Sequence, residues 1–144
     1  MPKFQATREL FAPPGDVWAF LAEPHNLADW WPGVGGVQPD RRGVAPGARW
    51  QVTGDDQPTF LRRPRATGAL LVLAAERERR FAFQLTRERL DVELTLEPVG
   101  HDRTLARLEV DGPWLIGLRR SLPRQALGRL HALIQTAWPA ENDV

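Results

Sequence analysis

Histidine and arginine supply most of the acid–base and anion-binding chemistry that this sequence could carry. The three histidines, His25, His101 and His131, lie far apart and form no H-x-H or H-x-x-x-H pattern, so their spacing predicts no metal site. His131 falls in a stretch of helical periodicity, close to its apolar stripe. If the imidazole points inward, its near-neutral pKa suits an acid, a base or a ligand anchor. The alternative is a histidine on the helix surface.

Two further side chains join His131 as candidates for catalytic residues. Arg8 lies in an apparent first strand, where it alternates with Thr7 and Glu9, and which of these faces the interior depends on a strand register that the sequence leaves open. Asp29 lies in a short helix that follows. Each could assist a reaction that depends mainly on orienting the substrate.

Nucleophiles and cofactor-binding motifs are scarce. Ser121 is the only serine and has no G-x-S-x-G motif around it, and the chain has neither cysteine nor tyrosine, so we predict no catalytic nucleophile of these types. The glycines of "GVGG", residues 33–36, have the wrong spacing for a dinucleotide site, and Lys3 is the only lysine, which excludes a P-loop. We therefore predict no cofactor and no bound metal.

The charge balance argues against a dedicated nucleic-acid-binding protein. Lysine and arginine number 19 against 18 acidic residues, a net charge of +1, whereas nucleic-acid-binding domains usually show a basic excess. Two arginine groups could still bind an anionic surface, but the first lacks the interleaved aromatic residues that a stacking platform requires, and the second alternates with apolar stripe positions, as on any solvated helix face. These are Arg62, Arg63 and Arg65 in a loop, and Arg119, Arg120, Arg124 and Arg129 on a helix.

The sequence pattern of the N-terminal third predicts one strand followed by two short helices. Residues Phe4 to Phe11 form the strand, and Pro13-Pro14 then suit a first helical turn. Pro24 ends the first helix and can open a second, which Pro32-Gly33 stops. The apolar residues at helical spacing are Val17, Trp18 and Leu21 in the first helix, and Leu27, Trp30 and Trp31 in the second.

Alternating and helical periods divide the rest of the chain. Five strands are predicted at hairpin spacing, around Gly47–Val52, Ala69–Ala75, Phe81–Leu85, Leu90–Leu96 and Ala106–Val110. Residues from about Pro123 to Trp138 form a long helix with one apolar stripe, preceded by a looser turn. Asp55 to Thr67 is the least structured stretch. The prediction is one α+β domain over residues 1–144, in which five or six later antiparallel strands curve around the long helix.

Three stretches resemble the START-like, or SRPBCC, superfamily, and in particular its bacterial polyketide cyclase/dehydrase and lipid-transport branch. They are "FAPPGDVWAFLAEPHNLADWWPGV" (residues 11–34), "GVAPGARWQV" (43–52) and "LTLEPVG" (94–100), followed by the terminal helix. The resemblance implies a helix-grip fold, with an elongated cavity between the concave face of the sheet and the C-terminal helix. The two short helices would close one end of that cavity.

This resemblance leads us to expect a set of residues that contact a hydrophobic ligand. Neighbouring helical residues diverge by about 100°, so one of the two adjacent tryptophans would point inward and the other would lie at the cavity rim. Alternatively, both only fix the helix pair to the sheet. The expected ligand-binding residues, which could equally be plain core, are Trp30, Trp31, Trp50, Phe81, Phe83, Leu94, Leu108, Leu130 and Ile134.

Three functions remain open at this stage. The first is a module that binds a lipid-, polyketide- or aromatic-like small molecule with little or no covalent chemistry. The second is a cyclase/dehydrase-type enzyme acting on a polyketide-like substrate. The third is a protein-interaction module like the co-chaperone activators, which requires a large exposed apolar patch. The chain has no apolar run long enough for a membrane span. A cytoplasmic monomer or homodimer is expected.

Overall fold

One seven-stranded antiparallel sheet forms the frame of the molecule. The computed structural model describes residues 3–54, 67–112 and 121–137. The strands are β1 (Lys3–Leu10), β2 (Val34–Gln38), β3 (Arg49–Gly54), β4 (Thr67–Glu76), β5 (Arg80–Leu85), β6 (Leu90–Val99) and β7 (Arg103–Asp111). Their order in the sheet is β1-β7-β6-β5-β4-β3-β2. The first strand therefore lies beside the last, and each later strand pairs with its neighbour in the chain.

Three α-helices pack on one side of this sheet. Helix α1 (Pro14–Leu21) begins with proline in its first turn, and a 3₁₀ turn (Pro24–Asn26) leads into α2 (Leu27–Trp30). Helix α3 (Leu122–Ala137) packs against β1, β7 and α2. Pro123 lies in the first turn of α3, where a proline does not disrupt the helix. This is the predicted helix-grip arrangement.

The alternation in the strands gives the sheet an apolar and a polar side. In β7 the residues from Thr104 to Val110 alternate between buried and more exposed, and the buried set faces the helices. Strand β6 follows the same rule from Leu90 to Leu96. A period of two places alternate side chains on opposite faces. The helix-facing side therefore holds the core, and the outer side carries charged residues.

Strand β2 is the element that the sequence analysis did not place. Gly35 and Gly36 lie in its centre, and a bulge interrupts its pairing with β3 between Val34 and Gly36. Glycine weakens a strand and commonly marks a bulge, so the alternating pattern is lost over these residues. The strand forms because it is a short edge strand that needs only one partner.

Several predicted features lie outside the described residues. They are the loop from Asp55 up to β4, which contains the Arg62, Arg63 and Arg65 group, the turn ahead of α3 with Arg119 and Arg120, and Trp138 at the predicted end of the long helix. Within the described part, no helix is long and apolar enough to cross a membrane.

Candidate functional site

The residues that we expect to contact a ligand lie between the helix-facing side of the sheet and the helices. All nine are buried, with at most 2% of any side chain exposed. Trp50, Phe81, Phe83, Leu94 and Leu108 come from four different strands, Leu130 and Ile134 from α3, and Trp30 and Trp31 from the end of α2. The fold thus brings the whole predicted set into one hydrophobic core.

Aromatic rings contact one another across the centre of this core. The Phe81 ring lies 5.2 Å from the Phe83 ring and 6.2 Å from the Trp50 ring, measured between centroids. Trp18 meets Phe81 edge-on at 6.5 Å, and Trp31 meets Phe83 edge-on at 5.7 Å. Edge-on and tilted contacts at these distances are the favourable arrangements for aromatic pairs.

The adjacent tryptophans do not divide between interior and rim. Trp30 and Trp31 are 1% and 2% exposed, and their rings meet edge-on at 5.6 Å. The expectation that one lies at a rim is therefore wrong. That expectation requires both tryptophans to be helical. Trp31 instead follows the end of α2 and has extended backbone dihedrals, φ −92° and ψ 119°. This backbone change lets both rings enter the core.

Polar groups at the core make specific hydrogen bonds. The indole N–H of Trp50 donates to the Gly43 carbonyl at 2.7 Å. Thr104 is the only buried polar or charged side chain among the described residues, and its hydroxyl donates to the Ala12 carbonyl at 2.8 Å. The second bond ties the start of β7 to the segment between β1 and α1.

Arg8 and His131 meet at the margin of the core. Arg8 faces α3, since it pairs directly with buried Ala106 in β7, while Thr7 and Glu9 face the outer side. The Arg8 Nη2 lies 3.5 Å from the His131 Nδ1, a long hydrogen bond. Because a guanidinium only donates, a hydrogen bond at this contact requires Nδ1 to accept, which is the neutral imidazole with its proton on Nε2.

The surroundings of His131 favour the neutral imidazole. Burial lowers its pKa below the usual 6.5, and the positive charge of Arg8 lowers that pKa further. Asp29, the third candidate, is exposed on α2, and no hydrogen bond or ion pair joins it to Arg8 or His131 in the described structure. The fold therefore unites two of the three candidates.

Phe11 belongs to this margin, although the sequence analysis did not single it out. Its ring is 47% exposed and lies 5.3 Å from the His131 ring in an edge-on contact. The Arg103 guanidinium lies 5.4 Å from the same ring and forms an ion pair with Glu9 at 3.0 Å. An apolar residue at a strand end, just before Ala12-Pro13, was the only available signal in the sequence.

The outer side of the sheet carries a group of carboxylates instead. Asp91 pairs directly with Asp111, and Glu93 with Glu109. These four line a depression of about 200 Å³, together with Leu73 and Arg80, and Arg80 forms ion pairs with Glu93 and Glu76. In the described structure no three acidic or histidine side chains are grouped so that they could hold a metal ion.

Comparison with known proteins assigns the family. A sequence model of the family described as "Polyketide cyclase / dehydrase and lipid transport" matches residues 1–134. The chain belongs to this family. A search of curated proteins finds no match to it.

Solved structures of this family's fold agree with the assignment. A START superfamily protein from Mycobacterium smegmatis superposes with a TM-score of 0.68 at 12% identity, over 94% of this chain and 99% of that one. NE0264 from Nitrosomonas europaea gives 0.66 at 18% identity, over 94% and 95%. BexL, described as a di-domain ARO/CYC from the BE-7585A biosynthetic pathway, gives 0.73 at 16% identity, over 98% of this chain and 48% of BexL. At these identities the likeness shows the helix-grip fold.

Proposed function

We propose that the protein binds a hydrophobic small molecule, lipid-, polyketide- or aromatic-like, between the sheet and α3, with little or no covalent chemistry. The observation that carries this proposal is the chemistry of the helix-facing side. Its described side chains are apolar, apart from Arg8 at the margin and Thr104, whose hydroxyl is already bonded. Such a surface recognises apolar area, with few polar groups to orient the ligand. Family membership supports the same class of function.

Native mass spectrometry of freshly purified protein tests the proposal directly. We expect an adduct that is lost on denaturation and recovered in an organic extract. The extract should also displace the neutral fluorescent probe N-phenyl-1-naphthylamine. A folded protein that carries no adduct and does not bind the probe would contradict the proposal.

A pair of matched variants locates the binding region. Ile134→Phe adds a ring to the core beneath α3, whereas Leu73→Phe adds the same kind of ring to the outer side, where Leu73 is 48% exposed. Extra volume in a packed interior competes with a ligand there, so we expect Ile134→Phe to weaken probe binding and Leu73→Phe to leave it unchanged. Thermal unfolding of each variant establishes that it is folded. Equal effects of the two variants would place the probe elsewhere.

A cyclase/dehydrase-type enzyme is the second candidate, and the contact between Arg8 and His131 favours it. A neutral imidazole beside a guanidinium could accept a proton while the guanidinium binds the resulting oxyanion. This candidate predicts that a poly-β-keto thioester analogue is converted by the wild type and not by His131→Asn. Recovery of the unchanged analogue from both proteins would support binding alone.

The co-chaperone-like alternative requires a contiguous exposed apolar patch. In the described residues the large exposed apolar side chains are Phe11, beside His131, and Leu73, among the outer carboxylates. These are separate places, which favours the small-molecule proposal. The proposal also includes a cytoplasmic location, with which the lack of cysteine agrees, and a monomeric or homodimeric state.

A further inference from the structure

The Arg8–His131 pair lies where the apolar helix-facing side of the sheet meets solvent. We propose that it binds the anionic end group of an amphipathic ligand, a carboxylate or a similar oxyanion, whose apolar part enters between the sheet and α3. This inference rests on the proposed function and narrows its ligand to an acid. Three independent features of the pair support it.

The first feature is an arginine that has no counter-ion among the described residues. Among the described strand residues, Arg8 is the only charged side chain on the helix-facing side of the sheet. No carboxylate of the described structure lies within 4.0 Å of its guanidinium, whereas Arg80 and Arg103 both form ion pairs. A free guanidinium presents paired N–H donors that match the two oxygens of a carboxylate.

The second feature is the weak contact between Arg8 and His131. At 3.5 Å the bond is long, and it joins a cation to a group that becomes a cation on protonation. An oxyanion between them would accept hydrogen bonds from both side chains and offset their mutual repulsion. Anion binding at the pair would therefore raise the pKa of His131 and promote proton uptake.

The charged groups around the imidazole agree with this coupling. From β1, Arg8 acts directly on His131 and further lowers its pKa. From β7, Arg103 lies over the Phe11 ring and is paired with Glu9; from α2, Asp29 is exposed. In the described structure, therefore, no carboxylate is paired with either member of the Arg8–His131 pair.

The third feature is the apolar character of the side chains on the flanks of the pair. Leu10 follows Arg8 on the same face of β1, and Leu130 and Ile134 flank His131 on α3; all three are fully buried. The exposed Phe11 ring packs against the imidazole itself. A ligand anchored by its charge at the pair would therefore contact the Phe11 ring, and its apolar part would reach the three buried side chains on entering between the sheet and α3. This arrangement suits an amphipathic acid better than a free inorganic anion.

Two fluorescent probes with the same ring system separate charge from apolar binding. 8-Anilinonaphthalene-1-sulfonate carries an oxyanion, and N-phenyl-1-naphthylamine lacks it. We expect Arg8→Gln to weaken binding of the sulfonate about three- to tenfold and to leave the neutral probe unaffected. Arg107→Gln is the matched control, since Arg107 is an exposed arginine of the neighbouring strand on the outer side of the sheet. Arg8→Lys, which keeps the charge and the stem, should lie between wild type and Arg8→Gln.

The pH dependence supplies a second readout. The sulfonate does not titrate near neutrality, so we expect its affinity for the wild type to rise as the pH falls through and below 6.5 and His131 takes up a proton. His131→Asn should flatten that profile. The inference is overturned if the sulfonate binds Arg8→Gln and wild type equally, or if Arg8→Gln weakens both probes alike while remaining folded. The proposed function fails separately, if folded wild type binds neither probe.

Discussion

Two polar residues on the helix-facing side of the sheet differ in whether a partner within the fold already satisfies their hydrogen-bonding groups. Arg8 and Thr104 both occupy helix-facing positions that are otherwise apolar. Thr104 is buried and has its partner within the fold, whereas Arg8 is exposed and its one side-chain hydrogen bond among the described residues is the long one to His131. Thr104 therefore contributes to stability, and Arg8 is available to a ligand.

The pKa of His131 predicts a pH-dependent stability. Because burial and Arg8 lower that pKa below 6.5, the unfolded chain takes up a proton at a higher pH than the folded protein does. The free energy of unfolding should therefore fall as the pH drops through 6.5 and level off below the folded pKa. Urea denaturation at several pH values measures this fall.

Substituting single histidines tests whether His131 causes that pH dependence of stability. His131→Asn should remove the fall in stability, whereas His101→Asn, at an exposed position in the β6–β7 turn, should retain it. Arg8→Gln should raise the pKa of His131 only in part, because burial is the larger cause. An unaltered profile in His131→Asn would show that another group titrates.

The hydrogen bond of Thr104 predicts that replacing a single atom of this side chain lowers the free energy of unfolding. Thr104→Val keeps the shape of the side chain but leaves the Ala12 carbonyl without its donor. An unsatisfied buried group costs about 1–3 kcal/mol, and we expect a decrease of that size in the free energy of unfolding. Thr7→Val, at an exposed outer position of β1, is the control and should change little. Similar effects for both variants would contradict the role assigned to this bond.

The composition of the core could be predicted from the sequence, but the Arg8–His131 pair could not. Burial follows alternation, so Phe81, Leu94 and Leu108 were assigned to the interior correctly. The contact between Arg8 and His131 joins positions 123 apart in the chain. It depends on the β1–β7 register and on the rotation of α3, and neither is encoded by a local pattern.

At the level of elements, like charges oppose each other on the outer side of the sheet. Glu93 and Glu109 are directly paired, as are Asp91 and Asp111, and Asp111 has a buried oxygen without a hydrogen-bond partner in the described structure. Like charges at directly opposed positions are destabilising. Arg80 offsets part of this repulsion through its ion pair with Glu93.

We therefore expect Glu109→Lys to stabilise the protein. An attraction across the β6–β7 pair would replace a repulsion, at a gain of about 0.2–1 kcal/mol in the free energy of unfolding. That gain should shrink at high salt, because the charges are near the surface. Glu97→Lys makes the same charge change opposite Leu105 and should gain less. Chemical denaturation at two salt concentrations measures both variants, and an equal gain would indicate a general effect of net charge.

The elements with a clear period were predictable, and the irregular one was not. Strand β6 shows a period of two over the seven residues from Leu90 to Leu96, and helix α3 a period of 3.6 over 16 residues, which is long enough to be unambiguous. Strand β2 has five residues, two of them glycine, and a bulge. It depends on tertiary pairing with β3, which single-sequence patterns do not report.

For the whole molecule, one connected core predicts one unfolding transition. Apart from Ala82, the described buried apolar residues of the sheet and of all three helices belong to a single cluster, and a single core of this size usually unfolds cooperatively. We expect urea titrations followed by tryptophan fluorescence and by far-ultraviolet circular dichroism to give the same midpoint. Two separate midpoints would show that α3 or the helix pair unfolds independently of the sheet.

The pairing of β1 with β7 has a consequence for biosynthesis. The bond from Thr104 to Ala12 spans 92 positions, and at about 5–20 residues per second a ribosome needs roughly 5–20 s to synthesise that length. During this interval β1 has no partner strand, and its backbone donors and acceptors are open to other chains. Since β1 also carries Arg8, a nascent chain acquires its anion-binding pair only after the last strand and α3 have joined the sheet.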